Sequence, residues 1–187
     1  RFLEPGEYRM MYGVARMSKN GSGISGDNYT YSGSLPGQVI MSLSDGMGSG
    51  AAADQESRKV IELLQQLLET GFSARSALKM VNTILMLTGT EQHPATLDLC
   101  CVDLCSGVLE AMKMGAVATF VLSNGQAEIL DAGNLPAGVI SQAEPVLLSR
   151  KLWDDDRVIM MTDGVLEACP GLEKERSLKE YLESMPM

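Results

Sequence analysis

Two stretches of this 187-residue chain follow one design. Val39-Ile40-Met41-Ser42-Leu43-Ser44-Asp45-Gly46 and Val158-Ile159-Met160-Met161-Thr162-Asp163-Gly164 each run as an apolar strand into an acid followed by glycine. An apolar run this short reads as a strand buried on both faces. The carboxylate at its end then sits at the rim of the core, partly stripped of water. Left unpaired, such a charge is costly or takes up a proton. A bound divalent cation would offset that cost. The glycine lets the backbone approach closely, so its carbonyl is a further oxygen donor. Asp27, in Ser25-Gly26-Asp27-Asn28-Tyr29, is a third acid beside a glycine at a strand start. Three carboxylates and a carbonyl are hard donors that suit Mg²⁺ or Mn²⁺. Two such ions, roughly 3.5–4 Å apart, can clamp a phosphate and activate a water with no protein nucleophile. Asp-Gly after a strand is also a common turn signal, and spacing alone leaves both readings open.

Other chemistries fit less well. Gly46-Met47-Gly48-Ser49-Gly50 precedes a helix and could cradle a phosphate at its N-terminus. It matches neither the dinucleotide fingerprint nor the Walker loop, and reads as a tight loop that shapes the metal site. There is no Gly-x-Ser-x-Gly elbow, and the sole histidine, His93, lies in a polar Glu91-Gln92-His93-Pro94 segment that reads as surface loop. A serine hydrolase triad is therefore not supported. Glu175 follows Cys169 where a Cys-x5-Arg phosphatase loop needs arginine. Cys100, Cys101 and Cys105 crowd one predicted hairpin without a second spaced pair, so neither a zinc site nor a disulfide framework is suggested. With Cys169 they read as reduced core cysteines of a cytosolic domain. The 13 methionines read as core filling or partner contact.

The elements that must position the acids follow from periodicity. Tyr8 to Lys19 reads as a strand, Lys19 to Gly26 as a Gly/Ser loop and Asp27 to Ser32 as a short strand. Leu35-Pro36-Gly37 marks a turn before the strand Val39 to Leu43. Val60, Leu63, Leu64, Leu67 and Leu68 then form a helical stripe that ends at Gly71. Ser73 is the expected N-cap of a second helix, with Ala77, Val81, Ile84 and Leu85 inward. The short link implies an antiparallel helix pair. Strands return at Thr96 to Asp103, Val108 to Met114, Ala118 to Ser123 and Gln126 to Leu130, the last two joined by Asn124-Gly125. Asp131 to Gly138 reads as a loop. Strands at Val146 to Ser149 and Arg157 to Met161 and a helix over Ser177 to Ser184 complete the chain. Helices segregated from hairpins predict an α+β fold of antiparallel sheets with helices packed outside.

Composition bounds the rest. The length suits one domain over residues 1–187, and 45% apolar with 21% charged residues is globular composition. No apolar run reaches the ~18 residues of a membrane span, and no leader pattern is seen. Both ends read as those of a piece of a longer protein. Fifteen basic against 24 acidic residues give a net charge of −9, which repels nucleic acid and anionic membranes. It suits a protein partner or a divalent cation.

Five motifs, in this order and at these spacings, resemble the metal-dependent protein Ser/Thr phosphatases of the 2C (PPM) type. They are Ser25-Gly26-Asp27; Ser44-Asp45-Gly46-Met47-Gly48-Ser49-Gly50; Thr96-Leu97-Asp98-Leu99; Ala132-Gly133-Asn134-Leu135-Pro136-Ala137-Gly138; and Met161-Thr162-Asp163-Gly164. The Gly-Met-Gly form with Asn-Leu-Pro is most similar to the stage II sporulation branch of that family. The resemblance runs from about Tyr8 to about Val165. It implies a central β-sandwich flanked by helix pairs (αββα) with Mn²⁺ or Mg²⁺, two ions, at one end. Carried over by position, Asp45 would bridge both metals, the Gly46 carbonyl would bind the second, and Asp163 the first. Asp27 would contribute directly or through water. Asp45 and Asp163 would act through a metal-activated water. The implied substrate is phosphoserine on a STAS-type anti-sigma-factor antagonist. The implied setting is a bacterial, cytosol-facing domain whose parent is anchored in the inner membrane by an upstream segment; a homodimer stays open. The helices from about Ala51 to Leu87 match a region that couples partner signals to the metals. Thr96 and Asp98 match a Thr-x-Asp strand, with an accessory metal or a structural bond as open roles.

Two departures bear on mechanism. Many 2C phosphatases carry histidine where Met47 stands, and methionine has no proton to give the leaving alkoxide. The family also closes with a further strand bearing an Asp-Asp or Asp-Asn ligand. Asp154, Asp155 and Asp156 precede a strand and do not substitute for it. The resemblance thus implies an incomplete metal site and a missing edge strand in this piece. A phosphatase-like module that only docks a regulator, and an unrelated acidic domain whose Asp-Gly pairs are turns, are the alternatives.

Overall fold

The computed structural model describes residues 8–17, 25–33, 37–48, 50–87, 94–133, 135–140 and 143–185. Eight strands form two antiparallel sheets. β1 (Asp27–Ser32), β2 (Gln38–Asp45), β3 (Leu97–Asp103), β4 (Val108–Met114) and β7 (Val146–Lys151) pair in the order β1-β2-β3-β4-β7. β5 (Thr119–Ser123), β6 (Gln126–Leu130) and β8 (Arg157–Ile159) pair as β6-β5-β8. Hairpins dominate because the turns are short and carry the required residues. Asn124 and Gly125 both take positive φ between β5 and β6, as a two-residue hairpin loop demands.

Alternation along the strands sends successive side chains to opposite layers. On β2, Ile40 joins Val60, Leu64, Leu78 and Val81 under the helices α1 (Ala51–Glu69) and α2 (Ala74–Leu87). Met41 points the other way and joins Cys100, Val102, Val121 and Val158 between the sheets. On the far side, Phe120 and Leu122 pack against Leu166, Leu178 and Leu182 of α3 (Asp163–Ala168) and α4 (Lys174–Ser184). The result is the helix–sheet–sheet–helix sandwich expected from the resemblance. One face of β2 (Ile40, Ser42, Ser44) is buried, while on the other Val39 is buried and Met41 and Leu43 are half-buried, so the expected burial on both faces is only partly met.

Several expectations need correction. Residues 8–17 form no strand. They run mostly exposed along the sandwich, held where the Tyr8 N–H donates to the Leu104 carbonyl (2.9 Å) and where Tyr12 stacks on Tyr31. Aromatic and branched residues favour a strand only where a ladder partner is offered. β8 stops at Ile159 rather than Met161, and the acid Asp163 begins a short helix, α3. Six residues are too few to show a helical period, so α3 was invisible in the sequence. α4 starts three residues before Ser177. Of the cysteines, all free, Cys100 is buried, Cys101 and Cys169 are half-buried, and Cys105 is exposed in the β3–β4 turn rather than in a core. Most of the expected 19–26 loop, the Leu35-Pro36 turn, Ser49, the His93 loop and Asn134 lie outside the described residues.

Candidate metal centre

β1 and β2 pair so that Asp27 lies directly across from Asp45. Asp163 arrives from the other sheet, at the first turn of α3 just after β8. The three acids expected from the two matched strands and from Ser-Gly-Asp therefore meet at one end of the sandwich. Asp45 hydrogen-bonds to both of the others. Burial pushes its carboxyl up to about 8, and the charges of Asp27 and Asp163 and their hydrogen bonds push in the same direction. Without a cation, this environment favours the protonated form of Asp45.

Neutral groups orient the acids. The Ser25 hydroxyl donates to Asp27 Oδ2 at 2.8 Å, and the Thr162 hydroxyl donates to the same oxygen at 3.3 Å. Thr162 is the N-cap residue of α3, yet its side chain makes no cap bond and reaches Asp27 instead. Asp45 is held through its backbone. Its N–H donates to Thr96 Oγ1 (2.9 Å), and its carbonyl accepts from the Thr96 N–H (3.0 Å). Thr96 thus makes a structural bond. Asp98 does as well: its carboxylate takes the Lys113 ammonium at 2.6 Å, and both side chains are almost wholly buried.

Gly46 is packed where no side chain fits, because a Cβ there would run into the Ala53 carbonyl of α1. The Gly46 N–H donates to the Gly26 carbonyl (3.1 Å). A Cβ placed on Gly26 would lie 3.3 Å from the Gly46 carbonyl oxygen and 3.5 Å from Asp45 Oδ1. Both oxygens therefore lie close beside Gly26. The first turn of α1 is tied to this corner by Asn28, whose amide donates to Ser57 Oγ (2.8 Å) and Asp54 Oδ1 (3.1 Å), and by Ser57, which donates to the Gly26 carbonyl. The Asn28 amide holds the Asp54 carboxyl below its ordinary range, with Arg58 and Arg16 acting in the same sense.

Hard oxygen donors of this kind fit Mg²⁺ or Mn²⁺. Among the described residues no three His, Cys, Asp or Glu side chains already form a metal cage. Asp45 instead links the other two acids by hydrogen bonds. Met47 stands beside them, half-exposed and without a titratable proton. An open cleft of about 2830 Å³ runs past the acids, lined by Met17, Tyr29, Met47, Thr162 and Val165 among others.

Comparison with known proteins decides the lineage. The sequence model for stage II sporulation protein E (SpoIIE) matches residues 36–186. The chain belongs to the SpoIIE family. It is 36% identical over 166 residues to stage II sporulation protein E of Bacillus subtilis (strain 168), covering 89% of this chain and 20% of that protein. It is also 36% identical over 161 residues to the homologue of Priestia megaterium, covering 86% of this chain and 28% of that protein. The chain thus spans between a fifth and a third of these SpoIIE relatives. Its fold superposes on the PP2C phosphatase domain of B. subtilis SpoIIE, solved with a fragment of its regulatory domain. The TM-score is 0.90 at 33% identity, over 98% of this chain and 55% of the other. A manganese-presoaked structure of the B. subtilis SpoIIE phosphatase domain matches at 30% identity with a TM-score of 0.50, covering 96% of this chain and 78% of that one. The PP2C fold is therefore common to this chain and its SpoIIE relatives.

The sequence motifs contained Ser25, Thr96 and Thr162 without assigning them these bonds. The signal available was a hydroxyl residue next to, or two residues before, each acid. Which hydroxyl would reach which acid depended on strand register.

Proposed function

We propose that this chain is a metal-dependent protein serine phosphatase that hydrolyses phosphoserine on a STAS-type anti-sigma-factor antagonist. The observation that carries it is the meeting of Asp27, Asp45 and Asp163, with Asp45 pushed up to about 8 by burial and by the other two acids. A site that gathers negative charge at such cost fits a cation. Asp45, Asp163, Asp27 and the Gly46 carbonyl would hold two Mn²⁺ or Mg²⁺ ions. Bound there, the ions supply an activated water and Lewis-acid stabilisation of the phosphoryl oxygens. Ser25 and Thr162 keep Asp27 oriented, and Thr96 keeps the end of β2 in place. Met47 offers no proton, so either water would protonate the leaving serine oxygen or leaving-group protonation would matter less in this enzyme. The open cleft suits a segment of a folded protein better than a small enclosed metabolite.

The antagonist substrate and an anchored parent rest on the resemblance to the sporulation branch. Among the described residues no helix is long and apolar enough to cross a membrane. Phosphate release from a phosphorylated STAS-type antagonist tests the reading. Release is expected with Mn²⁺, and is expected to vanish with chelator and in Asp45→Ala. Met47 favours a second reading, a module that docks the antagonist without turnover. That module would bind the antagonist equally well after Asp45→Ala and release no phosphate under any condition.

A further inference from the structure

Asp45 and Asp163 belong to different sheets. Asp45 ends β2 of the five-stranded sheet, and Asp163 follows β8 of the three-stranded one. The distance between these acids is therefore set by how the sheets sit on one another. Apolar contacts hold two sheets together without direction, whereas a buried polar network rigidifies a core and specifies one arrangement. A directional polar bridge between them fixes one position.

Besides the half-buried Thr162–Asp27 bond, a fully buried bridge of that kind lies near the acids. Lys113 Nζ on β4 donates to Asp98 Oδ2 on β3 (2.6 Å), to the Val117 carbonyl (2.9 Å) and to Thr119 Oγ1 on β5 (2.7 Å). The Thr119 hydroxyl donates onward to Asp98 Oδ2 (2.8 Å). β3 and β4 lie in one sheet and β5 in the other. All three side chains are almost completely buried. Stability alone explains this poorly. Apolar residues in place of a buried ion pair are often as stable, and Asp98 Oδ1 has no hydrogen-bond partner among the described residues.

The bridge connects to both acids by short covalent and hydrogen-bonded steps. On one side Asp98 is two residues from Thr96, which exchanges two hydrogen bonds with the Asp45 backbone. On the other, Thr119 precedes Phe120, which pairs with Ile159 of β8. The chain leaves β8 there and enters α3 at Asp163. We propose that Asp98, Lys113 and Thr119 are positioning residues of the metal site, setting the spacing between the sheet that carries Asp45 and the sheet that leads to Asp163. This rests on the metal-dependent reading proposed above. The far end of the sandwich has its own tie, Arg150 on β7 to Glu128 on β6 (2.6 Å), which is more exposed and lies away from the acids.

The test measures melting temperature in chelator and then across a Mn²⁺ titration, using the 187-residue chain. Thr119→Val keeps the shape and removes the hydroxyl that crosses between sheets. It is expected to raise the Mn²⁺ half-saturation point about tenfold, the range seen when groups behind a metal ligand are removed. Thr119→Ser restores the hydroxyl and should return the value to within about twofold. Leu68→Ala, roughly 25 Å along α1 from its first turn, should lower the melting temperature but leave the Mn²⁺ half-saturation unchanged. Asp98→Asn, a second route to the same bridge, should weaken Mn²⁺ binding like Thr119→Val. Equal half-saturation in Thr119→Val and wild type overturns the inference while leaving the metal site intact. An equal shift in Leu68→Ala also overturns it, by showing that general destabilisation suffices. No Mn²⁺ response in the wild type overturns both this inference and the phosphatase reading.

Discussion

Asp45→Asn is expected to make the metal-free chain more stable while removing its response to metal. In the folded chain the Asp45 carboxyl is pushed from the ordinary value of 3.8 up to about 8, first by burial and then by Asp27 and Asp163. The sign follows from linkage. Between those two values the folded state binds a proton that the unfolded state does not, so this group's contribution is fully favourable below 3.8. It is lost as pH rises, and the loss is complete above about 8. The full gap would correspond to about 5–6 kcal/mol. Asp45 keeps partial contact with water, and screening reduces the effect to roughly 2 kcal/mol. Asparagine has the same shape and never ionises, so its advantage over aspartate should grow with pH. Urea unfolding in chelator at pH 5 and pH 8 measures this directly. The variant should gain about 1–2 kcal/mol on the wild type between the two. Adding Mn²⁺ at pH 8 should stabilise the wild type and leave the variant unmoved, because a ligand stabilises only the state that binds it. A stability difference that does not change with pH, or a variant less stable than the wild type at pH 8, would refute the reasoning.

Gly46→Ala should cost about 1–3 kcal/mol in thermal unfolding and weaken Mn²⁺ binding, since its methyl would run into the Ala53 carbonyl and displace the start of α1. Lys113→Met should cost about 3–5 kcal/mol by leaving Asp98 buried without its counter-charge, and the double change Asp98→Leu with Lys113→Met should cost less than Lys113→Met alone; denaturant melts of the three variants check the order. Asn82→Ala should expose the 135–140 segment to protease at least several-fold faster, because the Asn82 side chain accepts from the Gly138 N–H (2.8 Å) and donates to the Ile140 carbonyl (3.0 Å).

Much of the site was legible because its chemistry is local. An apolar strand that ends in Asp-Gly places the acid at a rim whatever the rest of the fold does, and β2 obeys that rule. The pairing of hairpins was equally local, since Asn124-Gly125 specifies its own turn. What escaped the sequence depended on distant partners. Residues 8–17 have strand composition but no ladder, because composition does not say whether a sheet edge is offered. Thr162 looked like part of a motif and proved to be a donor to Asp27, more than a hundred residues away in the chain. Lys113 carried no signal at all. A lysine three residues after Glu110 on β4 reads as solvated, and only the β3–β4 register, which sets Lys113 directly across from Asp98, together with the second sheet covering both, makes it a buried partner.

The central claim is that Asp27, Asp45 and Asp163 form one divalent-metal site. Calorimetric titration of Mn²⁺ into the chain at pH 7, repeated in buffers of different ionisation enthalpy, tests it most directly. Saturable binding is expected, with net proton release as the cation displaces protons that burial and the neighbouring acids favour on Asp45, and no such binding in Asp45→Ala. Absence of binding by the wild-type chain, or equal binding by Asp45→Ala, would contradict the account.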